Sequence, residues 1–322
     1  MKPDIREFFI KLFLFMMPLC LIFIYIEYRS QKIPNSYSQK KKMIENQSDS
    51  INILVLGSSN AYKDIDPEYF SCKGLNFGNS SQTLFYDMRL CLKYLGYLPR
   101  LKGVIISLSY ISFYFELNET PDGFRDYFYF HYYGIRYPSL NLLDPKTFCY
   151  TALYTRNMII DNLINPLEIK KEIGDIQPNG WERAPLPENP GSISDSSGIK
   201  RLRFHETLIN PKNRALTIQY LDELIGILKK RNIAVYLVTP PVCETYFKWI
   251  NPLIDKANHN ITSDLCRKFG ITYLDYFRDP RFTKDDFYDN DHLNYLGAKK
   301  FSIILDQDIV IKICDKKLKT DD

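Results

Sequence analysis

The sequence predicts an α/β fold, a parallel sheet sandwiched between two layers of helices. Two observations carry that expectation. Short runs rich in β-branched residues, such as INILVLG at 51–57 and LKGVIISLS at 101–109, are mostly apolar without a polar alternation, as strands buried on both faces are. Between such runs lie amphipathic helical patterns rather than tight turns, which is how parallel strands are joined. With 45% hydrophobic and 25% charged residues over 322 positions, the chain has the apolar content to close a sizeable core.

From the N-terminus, residues 8–26 read FFIKLFLFMMPLCLIFIYI, with the single charge Lys11 near one end. A helix of that length spans the ~30 Å hydrocarbon core, so residues 1–29 are expected to be a membrane anchor. A cleaved signal peptide would need a small-x-small site, and none precedes EYRSQK. Lys2 and Arg6 precede the span, and Arg29, Lys32 and Lys40 to Lys42 follow it. That count mildly favours keeping the following domain in the cytoplasm. Residues 30–50 are polar without apolar periodicity and read as a tether. The main domain is expected over 51–315. It has a strand at 51–57, a helix over 83–95 and a strand at 101–109. A helix then places Leu216, Tyr220, Leu221, Leu224, Ile225 and Leu228 on one face, with lysines in its last turn. Strands NIAVYLVTPP at 232–241 and GITYLDY at 270–276 complete the pattern.

Residues 113–209 fit the alternation poorly and are expected to form a cap inserted over the strand ends. FRDYFYFHYYGIRY has eight aromatics in fourteen residues, and PLPENPGSISDSSGIK is rich in Pro, Gly and Ser. The aromatics either pack the cap against the core or form platforms for a sugar or lipid. A net charge of +4 without a basic face excludes nucleic acid as a partner class. Of seven cysteines one lies in the span, and none of the others forms C-x-x-C or zinc-ligand spacing, so neither a structural metal nor a disulfide scaffold is expected.

Gly57-Ser58-Ser59 follows the first strand, where ligands of parallel sheets bind. It is neither a dinucleotide fingerprint nor a P-loop, so no cofactor is expected, and Ala61 stands where the second glycine of a G-x-S-x-G elbow would be. The turn alone is a weak sign of a nucleophile. Asp289-x-x-His292, just before a C-terminal helix, strengthens it. A serine hydroxyl needs an imidazole to accept its proton, and the imidazole needs a carboxylate to fix its tautomer. Asp285, Asp286, Asp289 and Asp291 could instead cap helices or hold a cation, though they lack an EF-hand's glycine and glutamate. His131, His205 and His259 have no comparable setting, and a structural role is expected for them.

ILVLGSSNAYKDIDPEYF, NFGNSSQT and DNDHLNYLGAKKF together, in this order, resemble blocks I, II and V of the SGNH (GDSL-like) hydrolase superfamily, whose fold is flavodoxin-like. More narrowly, the chain is similar to membrane-anchored bacterial cell-envelope members, relatives of the D-alanyl-lipoteichoic acid transfer protein and of alginate-type O-acetyltransferases. VTPP at 238–241 and NGW at 179–181 also look familiar from this group. The resemblance implies Ser59 as nucleophile, His292 as base and Asp289 as its orienting carboxylate. It implies an oxyanion hole from the N–H groups of Ser59 and Gly78, with Ser58, Asn79 and Ser109 in support. The Asn that the family's third block usually supplies is missing from ISLSYISF. The implied function is a serine esterase or O-acyltransferase acting on an acylated glycan or envelope polymer outside the cytoplasm, in the periplasm or at the cell surface. A multi-spanning membrane O-acyltransferase is the implied partner. The alternative is a catalytically weak membrane-anchored protein of this fold that binds glycan or assists an acylation complex.

Overall fold

The computed structural model describes residues 5–164 and 175–315. Residues 1–4 of the expected anchor and 165–174 of the expected cap lie outside them. The described residues form two compact units: 5–38 with 126–164, and 39–125 with 175–315.

In chain order the elements are helix α1 (Ile5–Gln31), α2 (Ser36–Gln47), strand β1 (Ile53–Gly57), α3 (Ser59–Asp64), β2 (Gly74–Asn76), α4 (Leu84–Tyr94), β3 (Gly103–Ser107), α5 (Arg125–Tyr133), α6 (Arg156–Ile164), β4 (Asp175–Ile176), β5 (Glu182–Arg183), α7 (Asp195–Thr207), α8 (Arg214–Lys230), β6 (Ala234–Thr239), α9 (Glu244–Phe247), α10 (Pro252–Phe269), β7 (Thr272–Asp275), α11 (Tyr295–Leu305) and α12 (Ile311–Cys314).

The larger unit holds the expected parallel sheet, in the order β2-β1-β3-β6-β7. That is the flavodoxin-like order, and it reverses direction between β1 and β3, where the strand ends open a crevice. Every residue of β1 and β3 is buried. Ile53, Val55, Ile105 and Val238 point to one face and pack with Ala61 of α3 and with Phe301 and Leu305 of α11. The opposite face is covered by α4, α8 and α10, which contact β1, β6 and β7 in turn. The α/β/α sandwich follows from strands apolar on both faces. β2 has no counterpart among the expected strands, because three residues are too few for a visible pattern. Cys72, just before β2, forms a disulfide with Cys314 of α12, a link the scattered cysteines did not suggest.

Three further stretches differ from expectation. The polar tether contains α2, whose Ile44 is fully buried and whose Lys40 is 1% exposed. The Lys40 ammonium donates to the carbonyls of Asn76 (3.1 Å) and Gly78, and sits 4.0 Å over the Tyr62 ring. Burial pushes its pKa well below the usual lysine range. One buried lysine donating to backbone carbonyls leaves no apolar periodicity to read. The Pro/Gly/Ser-rich stretch turns helical at α7 because Ser194 and Ser197 form a reciprocal capping box. Asn179-Gly180-Trp181, expected in the cap, belongs to the sheet edge: the Asn76 N–H donates to Asn179 O at 2.8 Å. Gly180 has φ +84°, and a Cβ there would lie 2.1 Å from Asn76 O.

In the smaller unit the aromatic run is a core. Tyr37, Phe128, Tyr129, Tyr132, Tyr133 and Tyr154 are all buried, and Tyr37 meets Phe128, Tyr129 and Tyr133 ring to ring. Tyr132 and Tyr154 satisfy their hydroxyls on Asn35. These rings offer no open platform for a sugar or lipid. α1 is long and apolar enough to cross a membrane.

Candidate active site

β1 delivers the Gly57-Ser58-Ser59 turn to the crevice. Gly57 has φ +135°, and a Cβ there would lie 2.7 Å from Ser107 O, so neither the turn nor the approach of β3 tolerates a side chain. Ser59 is the first residue of α3, where its N–H has no helical acceptor.

The second half of the site arrives from 233 residues away. His292 Nε2 lies 2.8 Å from Ser59 Oγ. On its other side, Nδ1 lies 2.9 and 3.1 Å from the two carboxylate oxygens of Asp289. Asp289 also accepts the backbone N–H groups of Asp291 (3.0 Å) and His292 (2.8 Å). Buried polar groups hold the loop in place. Asn60 Nδ2 donates to Asp291 O at 2.6 Å, and the Leu293 N–H donates to Asp64 Oδ1 at 2.8 Å. Asn294 caps α11 through the N–H groups of Leu296 and Gly297. Gly297 is required there, since a Cβ would lie 2.1 Å from Asp286 O.

Electrostatics polarise the arrangement. Burial opposes the imidazolium of His292, but the carboxylates of Asp289 and Asp291 outweigh it and hold the pKa above its ordinary value, at about 9. For Asp289 burial raises, while the His292 charge and hydrogen bond and the loop N–H groups lower; the net is a carboxylate well below its usual range. In the neutral imidazole, Nδ1–H donates to Asp289 and Nε2 is left to accept from Ser59. Asp64 is fully buried, and desolvation pushes its carboxyl well up.

Sequence reading missed a second set of residues. Asp291, 2% exposed, accepts from Arg201 Nε (2.7 Å) and Nη2 (3.0 Å), and its Oδ2 stands 3.7 Å from His292 Nε2. His205 Nδ1 hydrogen-bonds with Tyr246 OH at 2.6 Å, and burial lowers its pKa to about 4. Asn60 and Asp64, one and five residues after Ser59, face the His292 loop. Their i, i+4 spacing on α3 was the one visible signal for them. Arg201 and His205 sit four apart on a helix that the Pro/Gly/Ser-rich composition concealed.

Ser59, His292, Arg201 and His205 line one cavity of about 290 Å³. Hydroxyls of Ser58, Ser80, Ser81, Ser109 and Thr120 also face it, with Ile111, Phe115, Phe204 and Leu208 as an apolar wall. Ser58 and Ser109 thus line the same cavity as Ser59. Gly78 is not among its lining residues. Its N–H donates to Asn76 Oδ1 at 3.0 Å, and a Cβ would lie 2.8 Å from Ala61 Cβ, so this glycine serves close packing rather than the oxyanion hole. Asn79 is likewise committed: its N–H goes to Gly57 O, and its side chain accepts from Ser80 N. Ser81 instead faces the cavity, with φ +56° and its hydroxyl on Asp122. Ligand atoms of Asp289, Asp291 and His292 lie within 4.8 Å of one another and could meet round a cation. Arg201 already occupies both oxygens of Asp291, and Asp289 is engaged with His292.

No family model matches the chain, and no curated protein does. Among solved structures, a GDSL-like lipase from Bacteroides thetaiotaomicron is similar over 85% of this chain and 98% of its own, at 11% identity and a TM-score of 0.40. A Bacteroides fragilis protein assigned as an acylhydrolase is similar over 86% and 95%, at 12% identity and a TM-score of 0.38. At that level of likeness the chemistry has to be argued from the site's own geometry.

Proposed function

We propose that the chain is a membrane-anchored serine acyl-ester enzyme of the SGNH type, a hydrolase or O-acyltransferase acting on acylated envelope glycan or polymer. The observation that supports it most is the unbroken relay Asp289–His292–Ser59, opening on a cavity at the carboxyl end of β1. Ser59 Oγ attacks the ester carbonyl carbon while its proton passes to His292 Nε2. The tetrahedral intermediate collapses, its alcohol leaves with that proton, and the acyl group stays on Ser59. Water or an acceptor hydroxyl then gives its proton to His292 and attacks the acyl carbon, and Ser59 Oγ leaves with that proton returned from His292. The Ser59 N–H, at the start of α3 and without a helical acceptor, is the donor offered to the oxyanion, such a donor being worth ~2.7–4 kcal/mol by mutation. Ser109 lines the same cavity and could substitute for the family's third-block Asn.

Two features favour an extracytoplasmic site. The Cys72–Cys314 disulfide suits an oxidising compartment. Two of the cations that weigh towards the cytoplasm are used inside the protein, Arg29 on Asn162 and Lys40 on backbone carbonyls. A membrane tether beside an acyl donor suits transfer, with a multi-spanning O-acyltransferase as partner.

The test is labelling of the folded protein with a fluorophosphonate, with wild type compared against Ser59→Ala. Wild type should label and the variant should not. Equal labelling of both, or none of either, would remove the enzyme reading.

A further inference from the structure

We infer that the turn at residues 141–148 lies in the surface of the same bilayer that α1 crosses, with Leu142, Leu143 and Phe148 inserted beside the helix. The inference rests on the membrane-anchor reading of α1 and adds a second contact to it. Lone exposed apolar residues are ordinary. Here three fall within seven residues of sequence: Leu142 is 40%, Phe148 67% and Leu143 87% exposed.

Their position relative to the helix is fixed by hydrogen bonds. The apolar run ends at Ile26, and the next residue, Glu27, accepts from the N–H groups of Tyr150 and Thr151 and from Thr151 Oγ1 (2.6 Å). Two residues on, Arg29 donates to Asn162 O (2.5 Å) and Asn162 Nδ2 returns a bond to Arg29 O (2.9 Å). Ser30 is fully buried. The end of α1 is thus built into the smaller unit rather than joined by a loose tether. Phe148 is two residues from Tyr150, so its Cα lies within ~7 Å of a residue that grips the end of the span. Tyr25 and Tyr28, both about half exposed, mark that level as an aromatic belt would.

The turn is also suited to an apolar boundary. Several of its polar groups are satisfied internally: Thr147 Oγ1 donates to Asn141 O (2.8 Å), Asp144 Oδ1 accepts from Lys146 N (2.9 Å), and Phe148 N donates to Pro145 O (3.0 Å). Leu142, Leu143 and Phe148 face outward beside the exposed Asn141 and the partly exposed Lys146, polar groups that suit the headgroup level. Burial to ~5–10 Å in the headgroup and acyl boundary is the usual depth of such a face.

The full chain, reconstituted in nanodiscs with Trp249→Phe to leave only the buried Trp181, takes a single reporter in the turn as Leu143→Trp or Phe148→Trp. Phe13→Trp in α1 and Leu253→Trp, 75% exposed in the larger unit, are the controls. Lipids brominated near the headgroup should quench both turn reporters about two-fold, and iodide should not, whereas Leu253→Trp should respond only to iodide. If the turn reporters behave like the Leu253→Trp control while Phe13→Trp is quenched by lipid, the inserted turn is refuted and the anchor stands. Shielding from both quenchers would mean that a protein partner covers the turn and would refute it too. If Phe13→Trp is not quenched by lipid, the anchor itself fails and the inference with it.

Discussion

Asp291→Asn should lower the pKa of His292 and move the acid limb of activity with it. The Asp291 carboxylate sits 3.7 Å from Nε2, and both side chains are nearly dry, at 3% and 5% exposed. At an effective dielectric of ~20, that separation favours the imidazolium by about 4.5 kcal/mol, equivalent to ~3 pK units. Arg201 keeps its charge in both proteins, so the substitution removes the whole of this attraction. Water entering the site would shrink the shift, and a fall of ~1–3 units is expected. From about 9, the imidazole would come down towards its ordinary ~6.5. The assay is the pH dependence of kcat/KM for a p-nitrophenyl ester, which reports the free enzyme's base. Fluorophosphonate labelling rates across the same range provide a parallel readout. Asparagine is nearly isosteric, and Asp291 O can still accept from Asn60, so a thermal melt should show the fold retained. A limb that stays in place while the fold survives would refute the assignment of His292 as the base under the influence of Asp291.

Asp289→Asn should cut kcat by ~10⁴, because an amide cannot stabilise the imidazolium or hold the same tautomer; a loss under ten-fold would argue against the relay. Wild-type stability carries the signature of both shifts. The raised His292 pKa stabilises fully below ~6.5, and this is lost as pH rises through about 9. The depressed Asp289 contributes above its ordinary ~3.9 and is lost as pH falls through its lower folded value. Urea midpoints of wild type and His292→Gln should therefore converge between pH 7 and about 9. Cys72→Ser should destabilise strongly. Closing a separation of 242 residues is worth up to ~5.5 kcal/mol by the chain-entropy model, and an unchanged urea midpoint under oxidising conditions would show that the bond does not form.

Much of this was legible because it rests on local chemistry. Strands β1, β3, β6 and β7 announce themselves as apolar runs, and the Gly57 turn and the Asp289-x-x-His292 spacing are short-range patterns. What stayed hidden depends on long-range contacts of polar residues. Asp291 sits in an Asp-rich turn where any of four carboxylates could matter, and only the approach of α7 selects it for Arg201. Gly78 looked like a donor because NFG resembles a family block in which a glycine N–H serves that role. Its N–H is instead consumed by the side chain of Asn76, two residues away, and no local pattern marks an asparagine for that bond.

Lys40 shows most sharply why composition fails at such places. A lysine in a polar stretch beside a long apolar helix reads as a solvated charge, and its neighbours Lys41 and Lys42 support that reading. Yet its ammonium closes on the loop that presents Ser80 and Ser81 to the cavity, through the carbonyls of Asn76 and Gly78. Asn76 in turn holds Ala61 O (2.6 Å) and Ile65 O (2.7 Å) at the end of α3, the helix that begins with Ser59. Lys40→Met keeps the length and apolar stem but leaves two buried carbonyls without this donor, at ~1–3 kcal/mol each. If the loop matters to the oxyanion, kcat should fall further than KM rises in protein that remains folded at the assay temperature. A variant that loses stability alone, with kcat unchanged, would show that Lys40 supports the fold but not the site.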